Sequence, residues 1–78
     1  MNEDRFVIKT YLKVVLARLY NPHLSDEGAM RKMRRWINRQ PQLKEQMAAL
    51  QVSPTDRHYT PKQVRLIVEY LGEPFDIF

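Results

Sequence analysis

Apolar residues recur along most of this chain at helical spacing. Leu12, Val15, Leu16 and Leu19 fall at i, i+3, i+4 and i+7, the core stripe of an amphipathic helix over residues 12–20. Ahead of it, Phe6-Val7-Ile8-Lys9-Thr10-Tyr11 is β-branched and aromatic. That stretch reads as a short strand or an extended lead-in, with Thr10 a candidate cap. Asn21-Pro22 stops the helix, because proline disfavours helical geometry in the residue before it. His23-Leu24 forms the turn, with Leu24 expected to plug the core.

A second helix starts from a Ser25 or Asp26 cap and runs to Asn38 or Arg39. Asp26 and Glu27 suit its positive N-terminus. Gly28 lowers its propensity and offers close packing against the first helix. Pro41 fits the first position of a third helix, whose stripe is Leu43, Met47 and Leu50. Residues 51–56 form a loop by composition, and Arg57-His58-Tyr59 is a short extended piece with Tyr59 under the last helix. Thr60 caps that helix and Pro61 opens it. Val64, Ile67, Val68 and Leu71 bury it, Gly72 ends it and Pro74 prevents its continuation. The fold class expected is mainly all-α: four helices in a helix-turn-helix arrangement, one domain over residues 1–78, with a short β wing.

The second helix separates most sharply into two faces. At about 100° per residue, Met30, Met33, Trp36 and Ile37 fall on one side. Arg31, Arg35, Asn38 and Arg39 fall on the other, with Lys32 and Arg34 at the edges. One side docks on a core, Trp36 included. The other offers guanidinium groups and an amide, which bond phosphate oxygens and base edges.

Charge distribution sharpens this picture. The formal net charge is +4 over 78 residues. From Ala29 to Lys44 there are six basic residues and no acidic one, whereas residues 73–78 carry two acids and no base. Such asymmetry suits an anionic partner for the middle of the chain, although a solvated helix face has the same composition. Cysteine is absent, which excludes disulfides and thiolate metal sites and fits a reducing cytoplasm. No apolar run reaches bilayer length, and residues 1–5 lack a signal-peptide core. A cytoplasmic protein without membrane attachment is therefore expected.

Two segments carry a resemblance. Val14-Val15-Leu16-Ala17-Arg18-Leu19-Tyr20, a turn, and residues 29–37 resemble the paired helices of MerR-type regulators and phage excisionases, with small Ala17 at the crossing. Arg57-His58-Tyr59-Thr60-Pro61-Lys62-Gln63-Val64 resembles the wing of that family leading into a helix. The resemblance implies a winged helix-turn-helix and DNA binding. The turn over residues 21–26 is longer than the family's, and the third helix stands where a wing hairpin would be, so the wing is absent or reduced to one strand. Arg34-Arg35-Trp36-Ile37-Asn38, Tyr59 to Val64 and Leu71-Gly72-Glu73-Pro74 also resemble a family of short bacterial proteins of unknown function, a DUF family.

The function expected is sequence-specific recognition of double-stranded DNA, by a transcriptional regulator or an excisionase-like accessory protein. The alternative is a protein-interaction adaptor that kept the scaffold and lost DNA binding. Arg31, Arg35 and Asn38 are the base-reading candidates, and Arg34 and Arg39 the phosphate contacts. Arg57 and Lys62 are backbone contacts from the wing-like segment, Lys62 standing at a helix N-terminus; Arg57 could instead pair with Asp56 or a tail acid. A homodimer or a protein partner would extend the few base pairs one helix reads. Leu66 with Tyr70, or the apolar tail at Phe75, Ile77 and Phe78, could dimerise the module or complete its core. His23 and His58 lack the partners a metal site needs, and only two glycines leave no phosphate-cradling loop. No cofactor, metal, small-molecule substrate or enzymatic activity is expected.

Overall fold

The computed structural model describes residues 6–51 and 55–74. Among them it is mainly helical, with a small two-stranded sheet. The elements in order are β1 (Tyr11–Leu12), α1 (Lys13–Tyr20), α2 (Asp26–Arg39), α3 (Pro41–Ala49), β2 (His58–Tyr59) and α4 (Pro61–Leu71). No described helix is long and apolar enough to cross a membrane.

The core draws on every helix: Leu16, Met33, Leu43, Val64 and Ile67 are fully buried. α1 and α2 form the most closely packed pair. Ala17 and Ala29 are fully buried too, and their small side chains allow two backbones to approach. This packing line corrects the expected stripe of α1. Leu16, Ala17 and Tyr20 face inward, whereas Leu12 and Val15 are each 42% exposed. Leu12 belongs to β1, so the helix starts a residue later, and packing follows the small residue rather than the most apolar row.

Other local expectations shift for equally physical reasons. Only Tyr11 and Leu12 of the aromatic lead-in are strand; Phe6 is buried and stacks on Tyr11 at 5.3 Å between ring centres. Thr10 does not cap α1. The Lys13 N–H instead donates to the Arg57 carbonyl at 2.8 Å, so β2's approach satisfies a free helix donor. Leu24 is exposed rather than a plug, because the turn is held by its own backbone, Leu24 N–H to the Asn21 carbonyl. Gly28 faces the Ser25 hydroxyl and Leu24, not the first helix; a methyl group there would sit 3.3 Å from the capping oxygen. Trp36 is half-buried, its ring edge-to-face with Tyr20 at 6.1 Å.

Helix ends follow the sequence closely. Ser25 caps α2, accepting from the Gly28 N–H, and Asp26 in the first turn pairs with Arg18 in the last turn of α1 at 2.8 Å. Both partners are exposed, so the pair contributes under about 1 kcal/mol. Thr60 and Gln63 form a reciprocal capping box on α4, and buried Gln63 also reaches the Met47 carbonyl. Thr60→Ala is expected to cost about 1 kcal/mol, read as a shift in the urea midpoint at unchanged slope. Gly72 closes α4 at φ 82°, a conformation that favours glycine. Leu66 and Tyr70 are half-buried against the core, and the tail at residues 75–78 lies outside the described residues.

Candidate nucleic-acid interface

α2 has 14 residues, a rod of about 21 Å. Ala29, Met33 and Ile37 are buried along one side. Arg31, Lys32, Arg34, Arg35, Asn38 and Arg39 are all exposed. Among the described residues, no ion pair engages any of these five cations. Lys32 leans over its own helix, its ammonium 5.6 Å from the centre of the Trp36 ring. Their charge is open to solvent and to an anionic partner.

The sheet adds cations beside one edge of this face. β1 and β2 pair antiparallel, Tyr11 opposite Tyr59 and Leu12 opposite His58. The pairing brings Lys13 and Arg57 to a shared hollow with Met30 of α2. Arg57 is exposed, and its backbone carbonyl holds the start of α1. Asp56 does not pair with Arg57. It accepts from the His58 N–H at 2.9 Å and lies 3.5 Å from the His58 imidazole. Those interactions, the backbone hydrogen bond foremost, hold its carboxyl below the usual range.

Lys62 lies elsewhere. It is exposed at the start of α4 and lines a groove with Gln46, Leu50 and Leu66, to which α2 contributes no residue. The structure therefore brings Arg57, but not Lys62, to the border of the α2 face. It also brings Lys13, Lys44 and His58 together in a second hollow with Ile37 of α2. Lys44 closes the basic run over residues 29–44, but sequence patterning does not mark Lys13 or His58 as DNA-facing. The pairing of residues 11–12 with 58–59 is long-range, and no local periodicity encodes it.

Tyr59 anchors this border. It is buried as expected, with the Lys13 ammonium 5.4 Å from its ring centre. Burial pushes its phenol up to about 12, against a smaller opposing pull from Arg34. The unfolded phenol ionises near 10.0, so the unfolded state loses its proton first and stability falls as pH rises from 10 to about 12. That window is worth roughly 2–3 kcal/mol. Tyr59→Phe should flatten the alkaline limb of stability against pH, measured by urea unfolding at fixed pH steps.

Taken together, the fold and its surface define a small, mainly helical domain with one cationic helix and a two-stranded sheet. The chain belongs to the family described as a domain of unknown function, DUF4248, which it matches over residues 7–74. No curated protein and no solved structure matches it.

Proposed function

We propose that this protein is a double-stranded-DNA-binding module that places α2 in the major groove. The observation that carries this reading is the exposed cationic face of α2, whose five charges make no ion pair among the described residues. A duplex presents phosphates on both walls of a groove wide enough for a helix, and Arg and Asn match its base edges. Lys13, at the start of α1, and Arg57, just before β2, share a hollow with Met30 of α2 next to the sheet, where a wing would stand. The finer reading, a regulator or excisionase-like accessory protein resembling the MerR type, rests on the α1–α2 pair and on a strand leading into the Thr60 cap.

Arg35 and Asn38 are assigned to bases and Arg39 to phosphate. Arg35→Ala or Asn38→Ala should relax sequence preference, each at about 1–3 kcal/mol of discrimination. Arg39→Ala should weaken all sequences alike and lower the salt slope by about 1. Competition binding with matched and mismatched duplexes separates the two effects. Equal losses from all three variants, with preference unchanged, would remove the base-reading assignment.

A second reading has its own observation. The groove between α3 and α4, about 480 Å³, is floored by Ala49, Leu50, Pro61 and Leu66. An adaptor would use such a surface for a protein partner. The cationic face of α2 has no role in that reading unless the partner is acidic.

A further inference from the structure

Three basic side chains from distant parts of the chain meet at the crease between the sheet, α2 and α3. Lys13 begins α1, Lys44 is in the first half of α3, and His58 lies on β2. All three line one hollow of about 250 Å³. Arg34 of α2 acts on Tyr59, which forms part of the same hollow. One carboxylate, Asp56, lines it too, and it is engaged by His58. Lys13 and Lys44 are thus two permanent cations beside a single acid that His58 already engages. Gathering like charges is unfavourable in the free protein, and a bound anion relieves it.

The geometry points to this crease as a seat for a phosphate group, taken from the backbone of bound DNA. This deepens, and rests on, the reading of α2 as a groove-entering helix. Ile37 puts the crease against α2, beside the helix that a groove wall would pass. Lysine ammonium groups suit a phosphate as mobile point charges. The half-buried Lys13 is also held in place over the Tyr59 ring, which reduces the freedom it loses on binding.

The test uses the full chain labelled with ¹⁵N, together with K13A/K44A and the charge-keeping K13R/K44R. Each protein is titrated with duplex DNA, and separately with inorganic phosphate at constant ionic strength against chloride. The expected result is that duplex moves the Lys13, Lys44, His58 and Tyr59 amides. K13A/K44A should lower the slope of log affinity against log salt by about 2, and K13R/K44R should keep it. Wild-type binding to duplex with an unchanged slope in K13A/K44A would overturn the seat and leave the DNA reading standing. Phosphate moving the same amides in a protein that ignores duplex would support the seat for a free phosphate and overturn the DNA reading. Neither titrant moving those amides would overturn the seat.

Discussion

Replacing Arg31, Arg34, Arg35 and Arg39 together by alanine should abolish measurable DNA binding while leaving the fold intact. All four side chains are exposed and form no ion pair among the described residues, so their removal leaves no buried group unsatisfied. Alanine is also the best helix former, so α2 should not weaken. An arginine that neutralises a phosphate carries about 0.9 of the salt slope, and one that reads a base carries about 1–3 kcal/mol of discrimination. The combined effect is a weakening on the order of a thousandfold or more at physiological salt. Electrophoretic mobility shift and fluorescence anisotropy at matched ionic strength would measure it. Net charge alone is a competing cause, since the variant falls from +4 to zero by losing four positive charges. K62A/R65A is the control. It removes two cations from the α3–α4 groove and should cost far less per charge.

The second large effect is on stability. Met33→Ala should destabilise the protein by about 2–5 kcal/mol, through reduced burial and the cavity left behind. Met33 is fully buried on α2 in the core that joins all four described helices. A chain of 78 residues holds a total stability of roughly 4–12 kcal/mol, so this one change removes much of it. The melting temperature should fall by roughly 10–25 °C. Val15→Ala supplies the contrast, because Val15 is 42% exposed. Its cost should stay within about 0.5 kcal/mol. A large destabilisation from Val15→Ala would mean that α1 packs on its most apolar row after all.

Helix positions were legible in the sequence wherever a cap and a stripe agreed. Ser25, Pro41, Thr60, Pro61 and Gly72 each mark a boundary found in the structure, because each solves a local backbone problem. The basic face of α2 was legible for the same reason: it depends only on helical periodicity. What depends on the partner surface was not. The inward row of α1 is Leu16, Ala17 and Tyr20, and hydrophobicity ranks Ala17 below the exposed Val15. Leu24 is apolar but sits exposed in a turn held by its own backbone. The sheet was half legible. Tyr59 was expected inside, yet its pairing with Tyr11 joins segments separated by three helices. That pairing decides which cations border α2. It brings in Lys13 and His58 and leaves Lys62 aside, a distinction absent from local spacing.

The most direct measurement is retention of random duplex DNA by the purified protein at two salt concentrations, followed by sequencing of the retained pool. A groove-reading α2 predicts enrichment of a short motif and steep loss of affinity as salt rises. No retention, even at low salt, would contradict DNA binding and turn attention to the groove between α3 and α4.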